Sequence, residues 1–411
     1  MHVLIAAVPY RTEHWLDLLR VLVRRPDIEI TFFTASTSDR SRQALEYLAE
    51  TFPHFRFHVA PRLIGEEGTG HMASVMYRPG SARVLKSRRP DVLHIIGEPA
   101  YLSTAQMLAL RKRYWPDVPV TMYAAQNVVT RFPFPFPSLE QRAYDAIDCA
   151  LPITPAAENV LRTKGYRGQV RLVPLGVDTE LFQPVAMPLP SHPFTVGFVG
   201  WFTRYKGIGD LLAAARQIDC DLLFVGSGSL SEEIQQEAAR RPGRIELHSW
   251  VDRRDLPALL ARMDVLALPS VELVQRNVAP WIGIPLREQF GRVLVEAMAC
   301  GVPVVGSDVG ELPYVIGSAG LIFRAGNPAA LATRLAQIRD DPALAQRLGA
   351  AGQTRAQLFS WSRIADSLCQ TWQGLLDTRL RVGHEGMFRT TTPWGTAPAP
   401  LPIREKEGQT L

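Results

Sequence analysis

The sequence predicts an α/β protein made of two open, doubly wound domains that face each other across a cleft. Three observations lead there. Its short apolar runs are continuous rather than alternating, as in parallel strands covered by helices on both faces. Helical patterns separate these runs, and regular alternation of strand and helix builds an open α/β sheet. The chain has 411 residues, more than one core of about 250–300 residues accommodates, and its pattern stops once and restarts.

In the first part the strands are HVLIAAV (2–8), IEITFF (28–33), VLHII (92–96), VPVTMYAA (118–125) and DCALPI (148–153). Between them lie helical stretches, one ending in LLRVL and another reading STAQMLALRKRY, which Ser103 or Thr104 is expected to cap. Residues 182–194, FQPVAMPLPSHPF, contain four prolines. Proline favours extended connections, so this segment is read as the interdomain linker and hinge. The strands then resume at 194–200, 220–226, 244–250, 264–270, 302–308 and 320–323. A helical run from about 328 to 378 closes the folded part. The expected domains are 1–185 and 194–359, and the polar, Pro-rich segment 380–411 reads as a disordered tail.

Composition narrows the function. The chain is 46% hydrophobic and 21% charged, which excludes disordered, collagen-like and coiled-coil chains. A net charge of +5 is too mild for a dedicated nucleic-acid binder, yet it favours anionic small molecules or a negatively charged membrane face. Two basic clusters, Lys86-Arg88-Arg89 and Arg111-Lys112-Arg113, read first as solvated faces and second as a weak peripheral contact with anionic lipid. Cys149, Cys220, Cys300 and Cys369 stand far apart and read as reduced core thiols. The nine histidines show no metal-ligand spacing, so no metal is expected. No apolar run reaches the roughly 18 residues of a membrane span, and the N-terminus opens on a strand without a leader. The expected setting is cytoplasmic, peripheral to the inner membrane face at most.

Ligands bind at the carboxyl ends of strands in such sheets, and three strand-to-helix turns stand out. In GFVGWFTRYKGIG (197–209), Arg204 and Lys206 precede a helix start, a setting suited to a phosphate or diphosphate. VGSGS (225–229) is an incomplete glycine fingerprint, read as a tight turn with Ser231 as the cap of the next helix. In LREQFGRVLVEAMACGVPVVGSDVGELP (286–313), Phe290, Val293, Leu294, Ala297 and Met298 form an apolar stripe beginning near Gly291. Glu288 lies before that helix and Glu296 at the stripe's margin, and carboxylates in such places suit a polyhydroxyl ligand. The eight-residue spacing is by itself no signal, because 21 Glu in 411 residues produce such a pair by chance.

The string EQFGRVLVEAMACGVPVVGSDVGELP, however, resembles the E-x7-E signature of retaining nucleotide-sugar glycosyltransferases of group 1, or family 4, with the GT-B fold of two Rossmann-like domains. VPLGVDTELFQP (173–184), LLARMDVLALPS (259–270) and FSWSRIADSLCQTW (359–372) extend the likeness. The resemblance implies that the second domain holds a nucleotide-diphospho-sugar donor and the first a sugar or lipid-linked acceptor. It implies Glu288 and Lys206 as the catalytic pair, Glu288 on the transferred sugar and Lys206 on the diphosphate. Backbone N–H groups at Phe290 and Gly291 lie beside them, and Glu296 is on the ribose hydroxyls. It also implies that a helix over 360–378 crosses back onto the first domain. The chain departs from the family pattern in two places. Trp201 follows Gly200 where an Arg is common, which leaves Arg204 as the substitute. Gln126 and Asn127 stand where many members have a His, and they are the acceptor-side candidates. A non-catalytic nucleotide-sugar binder and a sugar-nucleotide epimerase of the same fold are the alternative readings.

Overall fold

The computed structural model describes residues 1–8, 12–35, 37–65, 75–185, 193–275 and 284–382. The linker expected at 182–194 falls largely on 186–192, and the tail expected at 380–411 largely on 383–411, outside the described residues. Two parallel sheets organise the chain. The first comprises β1 (His2–Ala6), β2 (Glu29–Thr34), β3 (Phe55–Val59), β4 (Val92–Ile96), β5 (Val120–Ala124), β6 (Cys149–Pro152) and β7 (Gln169–Val170), in the order β3-β2-β1-β4-β5-β6-β7. The second comprises β8 (Thr195–Val199), β9 (Asp221–Val225), β10 (Ile245–His248), β11 (Val265–Leu268), β12 (Val304–Ser307) and β13 (Leu321–Phe323), in the order β10-β9-β8-β11-β12-β13. β1, β4, β5, β6 and β11 read as continuous apolar runs because every residue in them is buried.

The helices of the first half are α1 (Leu16–Leu22), α2 (Asp39–Thr51), α3 (Leu102–Tyr114), α4 (Phe136–Ala146) and α5 (Pro155–Thr163). Those that follow are α6 (Ile208–Ala215), α7 (Ser231–Arg240), α8 (Leu256–Leu260), α9 (Arg292–Ala299), α10 (Leu312–Ile316), α11 (Pro328–Asp340), α12 (Pro342–Ala356) and α13 (Trp361–Val382).

Two expected caps are corrected. α3 starts at Leu102, and Ser103 and Thr104 are buried in its first turn, where Thr104 donates to the Glu98 carbonyl at 2.9 Å. Ser231 is the first residue of α7 rather than its cap, and its hydroxyl closes the glycine turn by donating to the Gly228 carbonyl at 2.8 Å. The edge strand β3 had no reading in the sequence, because FRFHV is short and carries charge on its outer face.

α13 lies on the first sheet, not the second. Trp372 Nε1 donates to Thr121 Oγ1 on β5 at 3.2 Å, Asp366 pairs with Arg25 at 2.5 Å, and Trp361 meets Trp15 with ring centroids 6.4 Å apart. Cys149, Cys220 and Cys300 are buried and free, and Cys369 is half-buried and free. Among the described residues no helix is long and apolar enough to cross a membrane.

Candidate active site

In a sheet of order 3-2-1-4, loops leaving the first and fourth strands diverge and open a crevice at the carboxyl ends. In the second sheet those strands are β8 and β11, and both loops contribute to one buried cluster. The loop after β8 ends in a 3-10 turn, Arg204–Lys206, closed by Gly207. Gly207 has φ +70°, and a Cβ there would lie 1.8 Å from the Pro269 carbonyl oxygen after β11, so only glycine lets the loops meet this closely. Lys206 Nζ then reaches Glu288 Oε2 at 2.5 Å, with the two side chains 13% and 11% exposed. Ser270 Oγ donates to the same oxygen at 3.0 Å, and Ser307 Oγ donates to the Ser270 carbonyl at 2.5 Å. Burial disfavours the Lys206 charge, but Glu288 and Tyr205 outweigh it and hold its pKa above the ordinary value. Such a pair contributes little net stability; what it supplies is a fixed geometry for both charges.

The Glu288 backbone is held by both halves. Asn127 Nδ2, after β5, donates to the Glu288 carbonyl at 2.9 Å, and the Glu311 N–H donates to it at 3.1 Å. Gly310 permits the second contact, since a Cβ at its φ of +61° would sit 2.1 Å from that carbonyl oxygen. The Glu311 carboxyl reaches across to Thr154 and the Ala156 N–H at the start of α5, and burial raises its pKa. One Asn127 amide N–H thus joins the halves, and the Gln126 amide oxygen accepts from Lys164 Nζ at 3.5 Å.

The other expected residues separate. Gly291, with φ +75°, precedes α9, and no side chain caps that helix. Phe290 is core, its ring edge-on to Phe359 at 5.5 Å, so only its backbone faces a ligand role. Glu296 is 6% exposed, deeper than its place at the stripe's margin implied. Its Oε1 lies 3.4 Å from Arg292 Nε and 3.5 Å from Arg253 Nη2. Arg204 is exposed and lines a hollow of about 230 Å³ with Gly209, Asp210, Leu230, Glu233 and Val271 instead of joining the Lys206–Glu288 pair. Trp201, 53% exposed, makes an edge-on contact with Trp250 at 5.2 Å. Among the described residues no three His, Cys, Asp or Glu side chains gather as metal ligands.

Glu98 was not singled out in the sequence, where it is one acid after an apolar strand. It follows β4, the fourth strand of the first sheet, and is 4% exposed. Its Oε1 accepts the N–H groups of Ala125 at 2.7 Å and Gln126 at 2.9 Å, so it orders the loop that carries Asn127. Burial pushes its pKa up to about 7, against those two donors and the charge of Lys164, with Glu140 adding to the rise. Folded, the carboxyl keeps its proton up to about pH 7, whereas the ordinary value is 4.5. Its contribution to stability is thus full below 4.5 and is lost as pH rises through 7, an amplitude of about 3 kcal/mol. Glu98→Gln keeps the acceptor oxygen and removes the titration. It should flatten that segment and be more stable than the parent at pH 8 by roughly 1–3 kcal/mol. Melting curves between pH 4.5 and 8 decide; an unchanged slope in the variant would refute the assignment.

Comparisons with known proteins bear on the family and the fold. Residues 193–341 match the family model of glycosyl transferases group 1, and residues 12–181 match that of glycosyltransferase family 4. The alpha-maltose-1-phosphate synthase of Mycolicibacterium smegmatis is 30% identical over 57% of this chain and 65% of its own length. The D-inositol 3-phosphate glycosyltransferase of an Arthrobacter species is 30% identical over 60% of this chain and 61% of its own. The matched part thus spans a little under two thirds of these two relatives. Among solved structures, sucrose-phosphate synthase from Thermosynechococcus elongatus superposes with a TM-score of 0.68 at 23% identity, covering 91% of this chain and 99% of that one. Anabaena HepE in complex with UDP superposes with a TM-score of 0.70 at 18% identity, covering 91% and 100%. These two likenesses show the GT-B fold. With both halves matched by the paired domain models and the two sheets arranged as in that fold, the chain belongs to the group 1, family 4 glycosyltransferases.

Proposed function

We propose that this glycosyltransferase moves a hexose, with retention of anomeric configuration, from a nucleotide-diphospho-sugar to a hydroxyl of a sugar or lipid-linked acceptor. The observation that carries the reading is the buried Lys206–Glu288 pair at the crevice of the second sheet, gripped from the first half through Asn127. In this reading Lys206 neutralises the leaving diphosphate, while Glu288 accepts hydrogen bonds from the transferred sugar. Glu296 takes the ribose hydroxyls, and the N–H groups at Phe290 and Gly291 face the anion. The departing phosphate takes the acceptor proton, so the protein's work is positioning and electrostatic stabilisation. The cation supplies that stabilisation without a metal, and turnover unchanged by chelation is the corresponding check.

The names of the relatives, a maltose-1-phosphate synthase and an inositol 3-phosphate glycosyltransferase, support a phosphorylated or polyhydroxyl acceptor. Lys86 Nζ and the Arg113 guanidinium converge on the Tyr114 ring, at 4.0 and 5.4 Å, and this basic face supports a weak contact with an anionic, cytoplasmic membrane surface. Salt-sensitive binding to vesicles containing phosphatidylglycerol tests that contact, and equal binding to neutral vesicles would refute it.

A thermal-shift screen of UDP-, GDP- and ADP-sugars tests the function itself. A donor at 100 times its Kd stabilises by about 2.7 kcal/mol, and no shift with any of them would count against the reading. Glu296→Ala should raise the donor KM with little change in kcat, because ribose contacts are made equally in ground and transition states. Loss of kcat at constant KM would contradict a ribose role.

A further inference from the structure

We propose that Arg253 is a further donor-contact residue, forming with Glu296 a carboxylate–guanidinium site for the vicinal hydroxyls of the donor ribose. The inference rests on the nucleotide-sugar reading above and deepens it. Arg253 lies in the loop between β10 and α8, and it is pinned on two sides. Asp17 of α1, from the first half, holds its Nη1, and the Phe182 ring lies 5.3 Å from the guanidinium carbon. Nevertheless its Nε and Nη2 are buried without a hydrogen-bond partner. Nη2 stands 3.5 Å from Glu296 Oε1, close enough for attraction between charges but longer than a hydrogen bond. The second ion pair of Glu296, to Arg292, is similarly long at 3.4 Å.

Buried donors are seldom left unspent, since each one costs free energy that a partner would recover. Here two unspent N–H groups and a loosely held carboxylate lie side by side. A vicinal diol fits that pairing, because each hydroxyl both donates and accepts: the carboxylate takes the protons and the guanidinium donates to the oxygens. The planar fork of Arg presents both N–H groups in fixed directions, which the single ammonium of a lysine does not. The sequence offered no sign of this. Arg253 comes from DRRD, a charge run indistinguishable from a solvated turn, and Asp17 lies more than two hundred residues away.

The test is calorimetric binding of UDP, GDP and ADP and of their 2′-deoxy counterparts to the full-length protein. The variants are Glu296→Ala, Arg253→Gln and Arg253→Lys. The Lys variant keeps a cation for Asp17, so the fold is preserved while the fork is lost, and melting curves verify this. For the diphosphate that binds best, the parent should prefer the ribo form by about 10- to 100-fold, the scale of hydrogen bonds to charged groups. Both Arg253 variants should reduce that preference to below about threefold, as Glu296→Ala does. Full preference in both Arg253 variants, with its loss in Glu296→Ala, would overturn the role of Arg253 and leave the ribose reading standing. Equal binding of ribo and deoxy forms by the parent, or no binding of any diphosphate, would overturn the ribose reading and this inference with it.

Discussion

Replacing Lys206 by alanine is expected to cut kcat by roughly 10²–10³, the scale of losing one strong donor to a developing anion. In the proposed reaction the negative charge on the leaving diphosphate grows as the glycosidic bond breaks, so the ammonium would matter more in the transition state than in the ground state. The geometry sharpens this expectation. Lys206 is already desolvated and held 2.5 Å from Glu288, with Ser270 on the same oxygen, so little reorganisation remains at the moment of reaction. Glu288→Gln should also be damaging, because a neutral amide accepts hydrogen bonds from sugar hydroxyls less strongly than a carboxylate. Removing either partner leaves a charge buried without its counterpart, at a cost of about 3–5 kcal/mol to the fold. Kinetics must therefore be read beside melting curves and nucleotide binding. Near-normal turnover in both folded variants would remove this loop pair from the active site.

The second large effect is a truncation. A chain ending at residue 359 should lose the native packing of its first half, although all strands of that sheet are present. Trp361, Ile364, Leu368 and Trp372 recur at helical spacing on α13 and are all 2% exposed or less. Burying each contributes about 1.5–3 kcal/mol. Their sum is comparable with the roughly 5–15 kcal/mol that holds a whole domain. The Trp361 ring also fills the space beside Gly176, where a Cβ would come within 2.2 Å of it. Urea unfolding and turnover of the truncated chain measure the effect. Deleting residues 383–411 is expected to leave both nearly intact, because that polar, Pro-rich segment has no core to bury. Full activity in the longer truncation, or its loss in the shorter one, would contradict this division.

Strands such as VLHII and DVLALPS were legible in the sequence because a strand buried on both faces must be apolar throughout, and that demand is local. The stripe of Leu294, Ala297 and Met298 on α9 was legible for the same reason. Lys206 and Glu288 could be named from their turns and from the family likeness. Their separation of 2.5 Å could not, since it depends on the approach of the loops after β8 and β11 at Gly207 and on Ser270 of the second loop, whose hydroxyl holds the same Glu288 oxygen. Asn127 shows the limit most clearly. Its position in the loop after β5 suggested an acceptor contact, and nothing along the chain foretold that one of its N–H groups holds the Glu288 carbonyl of the other half.

What the sequence determined by itself was the set of elements, their alternation and the turns where chemistry belongs, because burial and backbone conformation leave a mark on neighbouring residues. Only the tertiary structure decided which charges meet. Glu98 with the Ala125 and Gln126 amides, Glu311 with Thr154 and the Ala156 amide, and Arg253 with Asp17 and Glu296 are brought together from distant segments. Such pairs satisfy one another through space, and desolvation by the surrounding fold sets their strength. No periodicity or spacing along the chain records either.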